Sequence, residues 1–227
     1  MIQGRKKPLL YHSGVTRVLK LGSLGWALSL AAMLAFPALG QVIEFLSNDL
    51  SYQALTRRGL TVMYAPLPLA VRDYAVFQVA FSNGSGQDWL LQPTDFSFES
   101  DDGRRLQAAS EYTVIYELYR SAGRNEVIKL QTAYEKAIYQ NQRIRSNNGY
   151  EQRRRSALAF GPKGVKAAAA ASAIALVRTK LRSGDSTDGA IFFPKQGRDL
   201  GPGRMVARIG DETFEFLPRS ARSLHSR

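Results

Sequence analysis

Val79-Ala-Phe-Ser-Asn-Gly-Ser-Gly-Gln-Asp-Trp-Leu-Leu-Gln-Pro-Thr-Asp-Phe-Ser-Phe-Glu-Ser-Asp-Asp-Gly-Arg-Arg-Leu106 is the stretch whose reading decides the fold. An apolar run ends at Asn83-Gly84-Ser85-Gly86, a turn sequence. Trp89-Leu90-Leu91 follows and stops before Pro93. Phe96 and Phe98 then alternate with Ser97 and Glu99, the period of a strand with one buried face. Asp102-Gly103 supplies the positive backbone dihedrals of a tight hairpin, so Arg104 to Ala108 is expected to return as its partner strand.

The same period extends in both directions. Upstream, Leu60 to Tyr64 reads as a short strand ended by Ala-Pro-Leu-Pro, because neither proline can donate to a ladder. Tyr74 to Phe81 is a second strand; residues 41 to 58 show no clear period. Downstream, Ala190-Ile-Phe-Phe193 is a strand entered through Asp188-Gly189 and left through Pro194. Met205 to Ile209 and Thr213 to Phe216 alternate around a Gly210-Asp211 turn. About seven short strands with turn signals every eight to twelve residues or so point to an antiparallel β-sandwich.

Between the early and late strands the period changes. Tyr112 to Tyr119 fits a strand by its Thr, Val, Ile and Tyr content, and a helix face by Tyr112, Ile115 and Tyr119. After Asn125, a candidate N-cap, Val127, Leu130, Tyr134, Ala137 and Ile144 recur at helical spacing until Asn147-Asn148-Gly149, a stop. Tyr150 to Phe160 reads as a further short helix. Val165 to Arg182 is alanine-rich and predicts another by propensity. The expected architecture is mainly β with a helical insertion at 120–184, α+β overall, the sandwich spanning 41–217 and a disordered tail 218–227.

Residues 1–40 carry a different message. Arg5, Lys6, Lys7, Arg17 and Lys20 precede an uncharged run from Leu21 to Gly40, and no acid occurs before Glu44. Pro37 breaks the run, and Ala38-Leu39-Gly40 puts small residues before Gln41, the pattern of a secretory signal peptide. Leu21 to Leu39 is also just long enough to serve as an uncleaved membrane anchor. Under either outcome the chain is exported to the periplasm or cell envelope. No twin Arg and no Cys directs it to a twin-arginine or lipoprotein route.

The 227 residues include no cysteine and two histidines, His12 in the signal and His225 near the end. A chain without His in its body lacks the usual Ser-His and Cys-His nucleophile pairs and zinc sets. We therefore expect no enzyme and no cofactor. Fourteen Lys or Arg stand against three acids from Arg120 to Arg182, a net of +11. The rest of the chain after residue 40 has twelve cations and sixteen acids, a net of −4.

The quoted Val79–Leu106 stretch resembles the small immunoglobulin-like accessory domains of exported bacterial proteins. In those, a strand ending in Asn is followed by an apolar pair, an Asp-Phe strand and an Asp-Gly hairpin. Gly189 to Pro194 resembles their later Gly-to-Phe strand. The resemblance covers about seventy residues, and the helical insertion departs from it. It implies an immunoglobulin-like sandwich with a binding or scaffolding role and assigns no site.

The candidate functional residues are the cations of the insertion: Arg143, Arg145, Arg153, Arg154, Arg155, Lys163 and Lys166. Such a patch raises the local concentration of anions and suits lipid headgroups or an acidic envelope partner; the competing account is a solvated face that balances the acidic sandwich. Export argues against nucleic acid as the partner. Asp95, Glu99, Asp101 and Asp102 gather near one hairpin, but their spacing is not that of an EF-hand, and an Asp-Asp-Gly turn needs no calcium. Gly161-Pro-Lys-Gly164 lacks the full phosphate-loop pattern. The aromatic residues Trp89, Phe96, Phe98, Phe192, Phe193, Phe214 and Phe216 are expected in the core. Three functions compete: a basic module contacting membrane or partner, an assembly subunit or chaperone-like adaptor offering a sheet edge, and an enzyme built on carboxylates alone.

Overall fold

Turn chemistry sets the first strands. Asn48 and Asp49 adopt φ of 53° and 62°, and Arg58 and Gly59 adopt 43° and 78°. Two successive positive-φ residues make the turn whose twist matches a hairpin. They connect β1 (Ile43–Ser47), β2 (Leu50–Arg57) and β3 (Leu60–Val71). The computed structural model describes residues 40–121, 124–139 and 170–218, which belong to one compact unit beginning at Gly40. The remaining strands are β4 (Tyr74–Asn83), β5 (Trp89–Leu91), β6 (Phe96–Ser100) and β7 (Arg105–Gln107). After two helices, α1 (Glu111–Ser121) and α2 (Arg124–Tyr139), come β8 (Thr179–Leu181), β9 (Ser186–Pro194), β10 (Gly203–Ile209) and β11 (Glu212–Glu215).

The fold is β-rich α+β. An antiparallel sheet in the order β1-β2-β3-β4-β9 faces a second in the order β11-β10-β6-β7, with β5 and β8 paired as a short ribbon. Aromatic rings join the two large sheets: Phe77 and Phe98 lie 6.2 Å apart, Phe81 and Phe96 6.0 Å, and Tyr64 and Phe216 4.8 Å. Phe193 packs edge-on against Phe77 at 5.5 Å. All seven expected core aromatics are buried.

The five-stranded sheet also buries its other face. Tyr52, Ala65, Val76, Ala80 and Phe192 form a second core with Val114 and Leu118 of α1, Leu130, Tyr134 and Ala137 of α2, and Ala171 and Ile174. The helical spacing of Leu130, Tyr134 and Ala137 thus places three fully buried side chains on the sheet. Helices, large sheet and small sheet make three layers around two cores.

Several expectations are corrected. β3 does not stop at its prolines: it runs through Pro66 and Pro68 to Val71. Pairing with β2 ends at Gln53↔Tyr64, so both prolines fall where β3 has one remaining neighbour among the described residues, and its register with β4 shifts between Pro66 and Ala70. Missing donors and a bulge are tolerated at such an edge. Residues 43–57, which lack a clear period, form β1 and β2. The ambiguous Tyr112–Tyr119 segment is helical, started by Ser110 Oγ accepting from the Thr113 amide at 3.2 Å. Asn125 falls inside α2 rather than capping it.

The helix expected over Val165–Arg182 is helical at residues 170–174, after which Ala175 bridges Ala190 and Thr179–Leu181 form β8. Residues 176–182 hold no alanine, and pairing with β5 through Leu91↔Thr179 and Trp89↔Leu181 makes 179–181 a strand. Asp188-Gly189, expected to lead into the strand, lies inside β9. The outer edge of β9 is covered, since the Leu176 amide donates to Ala190 O and the Ala109 amide to Phe192 O, each at 2.8 Å. Covering that edge buries β9 continuously from Thr187 to Phe193.

Candidate functional site

The predicted contact residues Arg143, Arg145, Arg153, Arg154, Arg155, Lys163 and Lys166 all lie outside the described residues, as do the short helix expected at 150–160 and the Gly161–Gly164 loop. Their attachment is defined. The segment 140–169 leaves from the end of α2 and rejoins the described chain at helical residues 170–174. Tyr134 and Ala137 on one side and Ala171 and Ile174 on the other belong to the same core on the five-stranded sheet. Seven cations and one acid, Glu151, are therefore tethered at both ends to the helix layer.

That layer is fastened to the sheet by polar contacts from α1 and α2. Tyr134 of α2 donates to the carboxylate of Asp188, which is 3% exposed within β9. Within the sheet beneath, Tyr52 of β2 donates to Gln78 Oε1 of β4 at 2.5 Å. On α1, Glu117 accepts from Tyr74 at 2.6 Å. Burial, and then this carboxylate neighbour, push the Tyr74 phenol well above its usual range, so it stays protonated and donating.

The acids of the β6–β7 hairpin do not converge. Asp95 accepts from the Gln92 amide at 2.9 Å and caps the 3₁₀ turn Pro93–Asp95; its burial raises its pKa. Glu99 pairs with Arg204 at 2.9 Å on the neighbouring strand. Asp102 pairs with Arg104 at 2.7 Å, a hydrogen bond that holds its carboxyl below the usual range. Among the described residues, no group of three or more His, Cys, Asp or Glu side chains could hold a metal ion. The Asp-Asp-Gly segment works as turn chemistry.

A cleft that sequence reading passes over opens at the far end of the β3–β4 hairpin. It has a volume of about 230 Å³. Pro66, Leu67 and Leu69 form one wall, Ala75, Phe77 and Phe98 line it further, and the 195–201 loop closes it with Lys195, Asp199 and Leu200. The loop is held in place. Asp73, in the turn after Arg72 (φ 55°), accepts from the Lys195 amide at 2.6 Å and from the Gly197 amide at 3.1 Å. Ser100 Oγ donates to Leu200 O at 3.1 Å, and Arg104 Nη2 to Asp199 O at 3.3 Å. The signal for the cleft was present as Pro66-Leu-Pro68 interrupting a strand, but apart from Ala75, Val76 and Phe77 across the hairpin its walls come from residues thirty to over a hundred positions away.

β1 is the second exposed feature. Among the described residues it pairs with β2 only, and Ile43 and Leu46 are 59% and 79% exposed.

No family model matches this chain. No curated protein matches it either. Among solved structures it is similar to the yjhA protein from Bacillus subtilis, at 8% identity over 73% of this chain and 76% of that one, with a TM-score of 0.29. A likeness at that score carries no argument for fold or function. Among the described residues, no helix is long and apolar enough to cross a membrane.

Proposed function

We propose that the chain is a non-enzymatic, exported cell-envelope protein, an immunoglobulin-like sandwich whose basic segment contacts an anionic membrane surface. The observation that carries this reading is the tethering of 140–169. Seven cations with one acid leave and rejoin the helix layer, while the large sheet beneath spends both of its faces on core packing. Recognition therefore falls to edges, loops and the cationic segment. The immunoglobulin-like assignment is supported by two facing antiparallel sheets and by the Asn83 turn. Asn83 donates to Gln87 O at 2.7 Å and to Leu181 O at 3.2 Å while accepting from Ser85, which ties β4, β5 and β8 together.

Each basic residue near an anionic bilayer contributes on the order of 1 kcal/mol. The test is retention of the full chain on vesicles containing phosphatidylglycerol, relative to neutral vesicles, so that insertion of the apolar Leu21–Leu39 run cancels. Reversing Arg153, Arg154 and Arg155 to Glu is expected to weaken the anionic preference by more than about 100-fold, the loss expected from removing three positive charges alone. Raising salt to about 1 M, where the screening length falls to about 3 Å, is expected to do much the same. A preference unchanged by both would remove the membrane reading. The open edge and exposed apolar residues of β1 favour a second reading, an assembly subunit or adaptor that pairs a partner strand with β1.

A further inference from the structure

We propose that the cleft between the β3–β4 hairpin and the 195–201 loop is a binding site for a small monocarboxylate with an apolar body, such as a medium-chain fatty acid. Three features select this chemistry. First, the cleft is apolar and closed at its base by rings: Phe77 and Phe98 sit 6.2 Å apart and both are buried. Pro66 and Pro68 remove two backbone donors from the wall beside them, so that part of the wall offers no hydrogen bond to the body of a ligand.

Second, the charge at the mouth is asymmetric. The Lys195 side chain is 20% exposed, whereas its partner Asp199 is 83% exposed, and the two meet at only 3.4 Å. An ammonium has three donors. One is engaged loosely with a carboxylate that water solvates, so a ligand carboxylate entering beside the apolar wall can take the others. A cationic or uncharged ligand would leave this enclosed ammonium without a better partner.

Third, the size and rigidity are suitable. At about 230 Å³ the cleft falls below the roughly 300–1,000 Å³ of sites for drug-sized ligands, which suits about ten non-hydrogen atoms. Its walls are fixed before binding by the Asp73, Ser100 and Arg104 hydrogen bonds, which lowers the ordering cost of occupation.

Titration calorimetry of the full chain with octanoate tests the proposal, with octan-1-ol as the uncharged control. Octanoate is expected to bind with a Kd of about 10⁻⁴ M and octan-1-ol about tenfold more weakly. Lys195→Met, which keeps an apolar stem, is expected to weaken octanoate about tenfold and leave octan-1-ol unchanged. Ala75→Phe, which fills the cleft, is expected to abolish both while the melting temperature holds. If Ala75→Phe fails to fold, Lys195→Met carries the test. No binding to the parent, octan-1-ol binding as tightly as octanoate, or full octanoate affinity in either variant would overturn the proposal.

Discussion

Truncating Phe193 to alanine is expected to cost about 3–5 kcal/mol of unfolding free energy. Phe193 lies on β9 of the five-stranded sheet and is fully buried. Its ring meets Phe77 edge-on at 5.5 Å within that sheet and approaches Phe98 of the facing sheet at 6.2 Å. Removing it takes away a large apolar side chain and two aromatic contacts, and the rigid flanking strands leave a cavity that relaxes only in part. Urea unfolding should show a lower midpoint with an unchanged slope, and thermal unfolding a drop of about 10 °C. A loss below about 1 kcal/mol would mean that the two sheets do not share this core.

Gly189→Ala is expected to destabilise the fold by about 2–3 kcal/mol, and the sign is the informative part. Strand propensity alone predicts the reverse, because Gly weakens a strand interior by roughly 0.5–1 kcal/mol relative to Ala. At Gly189, however, a Cβ would lie 2.6 Å from Leu176 Cα and 2.7 Å from Leu176 N. Both are backbone atoms, so no side-chain rotation relieves the clash. β9 would have to part from residues 175–176, breaking the Ala175↔Ala190 bridge and the Leu176 amide bond to Ala190 O. Chemical denaturation of the variant decides between the two accounts. A stabilised variant would show that the 175–176 segment does not close the edge of β9.

The parts of the fold legible in the sequence are those fixed by local chemistry. Asp102-Gly103 marked the β6–β7 hairpin, but Gly103 alone takes positive φ, and Ser97↔Gln107 and Glu99↔Arg105 set the register of a three-residue loop over 101–103 rather than of a two-residue turn. Leu130, Tyr134 and Ala137 announced a buried helix face by spacing alone. What escaped was decided by neighbours distant in sequence. The alanines of the Val165–Arg182 stretch all lie at 167–175, and β5 recruits 179–181 beyond them as a strand. Pro66 and Pro68 read as a strand end because nothing local reveals that β2 has already stopped pairing. Asp188 read as the lead-in to a strand rather than part of it because Tyr134, which donates to its buried carboxylate, lies 54 positions earlier. Asn48-Asp49 was a local signal that could have been used: paired Asn and Asp tolerate positive φ and join β1 to β2. At the level of function, the basic segment is a property of composition and was visible at once. The cleft is assembled by the packing of the 195–201 loop against a hairpin and was not visible.

The central claim is that the cationic segment, rather than the open strand edge, meets the cell envelope. A photo-reactive side chain placed at Arg154 in one variant and at Leu46 in another, activated in the native envelope, tests it most directly. The account predicts salt-sensitive lipid adducts from position 154 and no discrete protein adduct from position 46. A specific protein adduct from position 46, with none of any kind from position 154, would contradict it and assign the contact to the edge of β1.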